Sequence, residues 1–188
     1  MVRILYIFIL LLTATACFAQ VERGRYTVGG NVDISMSLQG DVRRFNMSIN
    51  PAFGVFVVKG FAVGGRYQFG VGSVREFNTR DNEYQSVVTF STAIGPQLKY
   101  YYGKKSLKGL VSANVLYLTS TTLRKSRVNG TQGMSANGLL GIAHFFNNNV
   151  ALESGLYVTL QAVDKQLPIT RFGFSMGLFV FLDKKKKE

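Results

Sequence analysis

The sequence predicts an all-β chain: an eight-stranded, antiparallel, up-and-down transmembrane β-barrel, preceded by a cleaved signal peptide. Three observations predict it. Eight stretches alternate apolar with small or polar residues over 10 to 15 positions. The connections between them run short, then long, in turn. The N-terminus carries an export signal, while Gly, Asn, Ser and charges interrupt every later apolar segment, leaving none long enough for a membrane helix. A period of two belongs to a pleated strand with two unlike faces. Roughly 9–11 such residues, tilted, cross the hydrocarbon layer of a bilayer.

The expected strands are residues 25–39, 43–57, 61–75, 86–102, 108–121, 132–146, 150–162 and 169–182. The third shows the alternation plainly: Phe61, Val63, Gly65, Tyr67, Phe69 and Val71 share one face, and Ala62, Gly64, Arg66, Gln68, Gly70 and Gly72 the other. Tight connections are expected at Val58-Lys59-Gly60, Gly103-Lys104-Lys105-Ser106 and Asn147-Asn148-Asn149, where Gly and Asn suit the positive φ of short hairpins. The other connections read as longer polar loops, the longest from Glu76 to Gln85. Three hairpin units start at Ile49, Ile94 and Gly138, 45 and 44 residues apart, as one hairpin per repeat. Aromatics before the turns, Tyr100-Tyr101-Tyr102 and Phe145-Phe146, are expected to form a membrane-interface girdle. Pro51 and Pro96 fall inside strands, where each removes a ladder donor, and a local bulge is expected at both.

Residues 1–19 have the form of a signal peptide: Arg3, an apolar run from Ile4 to Leu12, then small residues with a cut expected after Ala19. Cys17, the single cysteine, is then lost with the signal; the alternative is a weak lipobox, Ala14-Thr15-Ala16-Cys17, with Cys17 lipid-modified. The barrel is expected over 20–182, followed by a basic tail over 183–188. The chain holds 22 Lys and Arg against 10 Asp and Glu, a net charge of +12. For an exported chain such charge points to anionic lipid and lipopolysaccharide phosphates rather than nucleic acid. Even strand number with short turns on one side places both termini in the periplasm, with the longer loops outside.

Alternation alone leaves open which face meets lipid. One face of the first two strands reads Arg25, Thr27, Gly29, Asn31, Asp33, Ser35, Ser37 and Arg44, Asn46, Ser48, Asn50, Ala52, Gly54. These residues are mostly small with a few charges, as the inside of a narrow barrel requires, and sparser in Lys and Glu than a water-washed surface. The apolar face is therefore assigned to lipid. Charges that fall on the lumen side are Asp33, Arg44, Arg66, Lys99, Glu153 and Arg171. Buried charges need partners, so an interior ion-pair network is expected in which Asp33 and Glu153 neutralise Arg66, Arg171 and Lys99.

Catalytic and metal chemistry find little support. His144 is the single histidine and the mature chain has no thiol. A hydrolytic triad needs a base beside a nucleophile, and a transition-metal site needs more ligands. The glycine pairs Gly29-Gly30 and Gly64-Gly65 lie within strands and precede no helix, so they make no phosphate-binding loop. No catalytic residue, cofactor or metal is expected. Basic residues in the outer loops, Arg43, Arg44, Arg124, Lys125 and Arg127, are candidates for lipopolysaccharide contact, because arginine binds phosphate bidentately.

The final strand carries Ser175, Gly177, Val180 and Leu182 in the order polar-x-Gly-x-x-hydrophobic-x-hydrophobic. With the eight alternating segments, the chain over 20–182 resembles the small eight-stranded outer-membrane β-barrel superfamily, the OmpA/OmpX/OmpW-like outer membrane protein beta-barrel domain. That resemblance implies a β-signal at those four residues, presented to the barrel assembly machinery, and the barrel alone, without an appended peptidoglycan-binding domain. Lipid A deacylases of this strand number carry His-x-Ser on one strand, whereas His144 is followed by Phe145-Phe146. The expectation is thus a monomeric, non-enzymatic barrel of the bacterial outer membrane with a structural, surface-interaction or small-solute leak role. The alternatives are a lipid-A-modifying barrel enzyme and a soluble periplasmic barrel holding an apolar ligand.

Overall fold

The computed structural model describes residues 21–39, 42–78, 83–103, 106–124, 127–163 and 168–183. The expected signal peptide and Lys184–Glu188 lie outside these residues. Eight strands, β1 (Tyr26–Gln39), β2 (Val42–Val58), β3 (Phe61–Asn78), β4 (Glu83–Tyr102), β5 (Leu107–Arg124), β6 (Arg127–Phe145), β7 (Val150–Val163) and β8 (Ile169–Leu182), follow one another in chain order. They form a closed barrel in which each strand pairs antiparallel with its neighbours and β8 returns to β1. The sheet has no edge to protect.

The register fixes the barrel's shape. One row of partners runs from Tyr26 through Val55, Val63, Leu98, Ala113, Gly138, Val158 and Phe172 to Met36, ten residues further along the strand on which it began. A stagger of ten over eight strands, at ~3.3 Å per residue and ~4.8 Å between strands, tilts the strands by about 40° and gives a radius of about 8 Å. Such a cylinder has room inside for side chains or one small molecule.

The alternating pattern sets the two faces. Ile34, Ile49, Phe69, Phe174 and Leu178 stand on the outer surface, and Phe53, Leu156 and Phe172 are 67%, 70% and 68% exposed. Asn31, Asp33, Ser48, Asn50, Arg66, Lys99, Ser112, Glu153 and Ser175 are buried within. Polarity is therefore inverted relative to a water-soluble barrel.

Both prolines sit in uninterrupted register, against the expected bulges. Pro51 faces Gly30, Pro96 faces Gly65, and pairing on the other side resumes with unchanged register, Ala52 opposite Arg66 and Gln97 opposite Asn114. A missing N–H weakens one side of the ladder without requiring an extra residue. The register shift lies instead between Phe56 and Val58, beside the β2–β3 turn.

The long polar loops are a second correction. The β3–β4 ladder continues to Asn78 opposite Glu83, and the β5–β6 ladder to Arg124 opposite Arg127. Residues such as Thr119-Ser120-Thr121-Thr122 are polar on both faces, which hides alternation, yet backbone pairing needs no apolar face. Arg43, Arg44, Arg124 and Arg127 consequently belong to strands; Lys125 and the side chains of the other four lie outside the described residues.

Both termini and three connections share one end, here called the terminal end. Gly60 turns β2 into β3 with φ +78°, and Gly103 follows β4 with φ +114°. Between β6 and β7, the Asn147 side-chain oxygen accepts from the backbone N–H of Asn149 and Val150, each at 2.8 Å. The segment before β1 folds across this end: Val21 is buried, its carbonyl accepts from Gly60 N (3.0 Å), and Gly24 N donates to the Phe56 carbonyl (2.8 Å).

Candidate functional site

The lumen holds three layers. At the terminal end Phe56, Tyr101, Leu110, Phe145, Phe179, Phe181 and Val21 form one buried apolar cluster. The Phe181 ring lies 5.0 Å from Phe145 and 5.9 Å from both Phe56 and Tyr101. Here the expected aromatic girdle divides. Tyr100 and Tyr102 stack on the outer surface at 6.3 Å, while Tyr101 and Phe145 point inward and close the barrel. Parity counted from Lys99 carries this information, since Tyr101 shares its face, but a run of three tyrosines conceals it.

Two ion pairs stand above this floor. Lys99 Nζ lies 2.7 Å from Glu153 Oε2, and Arg66 Nη2 lies 2.5 Å from Asp33 Oδ2. Glu153 also accepts from the Tyr101 hydroxyl at 2.5 Å, and the Lys99 ammonium sits 3.3 Å from the centre of the Phe179 ring. Small neighbours make room for each long side chain. Arg66 is flanked by Ala52 and Gly95, Lys99 by Ala62 and Ser112, and Glu153 by Ala143 and Gly177. A buried charge needs such coordination, because unpaired burial costs several kcal/mol (about 3–5 when one partner is removed). Arg171 lies further along, half-buried in the upper lumen. Arg44 faces Ser37 and Val74 in the register, and its side chain lies outside the described residues.

The third layer is a cavity of about 300 Å³ in the half remote from the termini. Hydroxyls and amides dominate its wall and bond to one another. Thr89 pairs with Thr122 (3.2 Å) and Ser120 with Thr131 (2.7 Å); the Thr159 hydroxyl donates to Asn137, which donates to Asn114 (2.6 Å).

Arg25 is a residue whose role the pattern does not announce. It is buried at the terminal end, where Nη2 donates to Asn149 Oδ1 (3.1 Å) and the Phe181 carbonyl (3.3 Å), and Nε lies 2.6 Å from Asp183 Oδ1. It joins the start of β1, the end of β8 and the β6–β7 turn.

The four residues of the candidate β-signal divide by face. Ser175 and Gly177 point inward, opposite Asp33 and Asn31 of β1, and Val180 and Leu182 point outward. A Cβ at Gly177 would collide with the β1 backbone at Gly30 and Asn31.

His144 occupies the outer surface near the terminal end, edge-on to Phe146 at 5.2 Å, with neighbours Leu107 and Leu152. No nucleophile pairs with it in these contacts. Among the described residues, no group of three His, Cys, Asp or Glu side chains could hold a metal.

A closed eight-stranded barrel with an apolar exterior and a packed polar lumen is the fold of the small outer-membrane β-barrels. The outer membrane protein OprG from Pseudomonas aeruginosa superposes with a TM-score of 0.61 at 11% identity, over 89% of this chain and 100% of that one. Neisserial surface protein A gives 0.59 at 13% identity, over 84% and 99%. The outer membrane enzyme PagL gives 0.51 at 11%, over 80% and 97%. At these identities the likeness establishes the fold. No protein-family model and no curated protein matches the sequence.

Proposed function

We propose that the chain is an integral, monomeric protein of the bacterial outer membrane with a structural or surface-interaction role, no catalytic chemistry and a lumen closed to the passage of solutes. The carrying observation is the apolar belt. On β8 it runs from Phe172 to Leu182 and on β3 from Phe61 to Val71, eleven residues each. Eleven residues at ~3.3 Å, tilted by about 40°, rise about 28 Å, close to the ~25 Å apolar band of outer-membrane barrels. Beyond Val71, Ser73 on the same face is polar and exposed, as expected where the belt meets water.

The aromatic floor and the two ion pairs favour a plugged barrel over the small-solute leak that stands among the expected roles. The polar wall of the cavity speaks against an apolar ligand, whose entry would strand those groups without hydrogen bonds. Likeness to the outer membrane enzyme PagL keeps the lipid-modifying alternative as an outcome to be tested, while the surface position of His144 speaks against it. In the proposed orientation the terminal end faces the periplasm. Ser175, Gly177, Val180 and Leu182 serve barrel assembly, and Arg43, Arg44, Arg124, Lys125 and Arg127 at the far end meet lipopolysaccharide phosphates.

Membrane fractionation with heat-modifiable gel migration tests the placement: extraction by carbonate without detergent would refute it. Planar-bilayer recordings of the purified barrel should show no channel events at any of several voltages. Incubation with lipopolysaccharide should leave its acyl chains intact, and acyl loss would overturn the non-enzymatic reading.

A further inference from the structure

The floor makes the lumen a well closed at the terminal end, and the cavity above it has the chemistry of a site. Its volume of about 300 Å³ stands at the lower end of small-molecule pockets. Strands β1 to β7 each contribute hydroxyl or amide groups, among them Asn46, Gln68, Ser91, Ser135 and Gln161, while β8 contributes Ile169 and Arg171. Tyr157, whose ring covers Gly173, adds an aromatic surface.

Two polar groups in this wall lack a hydrogen-bond partner among the described residues. They are Asp33 Oδ1, an acceptor, and Asn46 Nδ2, a donor. The Asp33 side chain is only 8% exposed, and its other oxygen is held by Arg66. Buried polar groups without partners are costly and uncommon.

The charges indicate the ligand class. The wall carries one carboxylate, Asp33, which Arg66 holds, and one guanidinium, Arg171, so it presents no cluster of cations of the kind that binds phosphate bidentately. Hydroxyls donate and accept at once, and a wall of them matches a molecule that does the same. We propose that this cavity binds a small, uncharged polyhydroxylated molecule of mono- or disaccharide size, held by the hydroxyls and amides of its wall. The site goes beyond the scaffold role and does not depend on it.

The purified barrel in a sugar-free zwitterionic detergent tests the site, with maltose and N-acetylglucosamine followed by saturation-transfer NMR and inorganic phosphate by ³¹P line broadening. Saturable sugar binding in the millimolar range is expected, weakened about tenfold by Asn46→Leu and abolished by Ser91→Phe, which fills the cavity from β4. Heat-modifiable migration of each variant confirms that it is folded. Absence of sugar binding by the folded wild type, equal binding by Ser91→Phe, or binding of phosphate alone would each overturn the proposal. Any of these with migration and membrane fractionation unchanged sinks the site and leaves the scaffold reading standing.

Discussion

Removing the Glu153 carboxylate is the sharpest test of the lumen. Glu153 is 1% exposed, and its two oxygens hold the Lys99 ammonium and the Tyr101 hydroxyl. Glu153→Ala leaves a buried cation whose remaining neighbour is the face of Phe179, and a buried phenol without its acceptor. Loss of one partner from a buried pair costs ~3–5 kcal/mol, and the lost phenol hydrogen bond is part of that sum rather than an addition to it. Equilibrium unfolding by guanidinium in lipid vesicles measures the change. The double variant Lys99→Met/Glu153→Leu removes both charges and should recover at least ~2 kcal/mol of the loss, because stranded charge rather than lost attraction dominates the cost. An unfolding midpoint unchanged in Glu153→Ala would refute the pairing. A double variant no more stable than the single one would refute the assignment of the cost to the unpaired lysine.

Other expectations follow from the same architecture. Leu156→Arg places a charge midway along the outer face of β7 and should cost ~2–4 kcal/mol in vesicles; no penalty would mean that face does not meet lipid. Phe181→Ala opens a hole in the aromatic floor and should cost ~3–5 kcal/mol by the same unfolding measurement. Gly60→Ala forces a side chain into φ +78°, with its Cβ 2.6 Å from the Tyr101 carbonyl oxygen, and should cost ~1–2 kcal/mol or more. Arg25→Ala releases the join between β1, β8 and the β6–β7 turn. Amide exchange at Phe181, whose N–H donates to the Asn149 carbonyl at 2.7 Å, should then accelerate about tenfold; unchanged exchange would remove that role from Arg25.

Strand number, order and facing were legible because a bilayer-spanning strand must be apolar on every second residue, as Phe172, Phe174, Met176 and Leu178 are. The same rule fails where the constraint lapses. Past the membrane belt the β5–β6 hairpin runs on through threonine and serine on both faces, and there sequence polarity looks like loop while the ladder continues. A ring beside a turn suits either face, so Tyr101 and Phe145 read as girdle residues, and only parity within the strand separates them. Pro51 and Pro96 point to bulges by a rule about central strands, whereas each removes one ladder donor and leaves the register unchanged. Parity names the lumen charges as a set of two carboxylates and their cations, but not which cation meets which carboxylate. Pairing of Lys99 with Glu153, 54 positions away, depends on the ten-residue stagger, which no local pattern encodes.

The plug of the barrel draws its residues from both extremities of the chain. Val21 comes from before the first strand, Phe179 and Phe181 from the last, and Phe56, Tyr101 and Phe145 from the hairpins between. Until the first and last strands zip together, those rings have nowhere to go but each other or the surrounding lipid. Completion of the plug is thus coincident with closure of the cylinder, so a fluorescent or exchange probe at Val21 would time the final event of assembly.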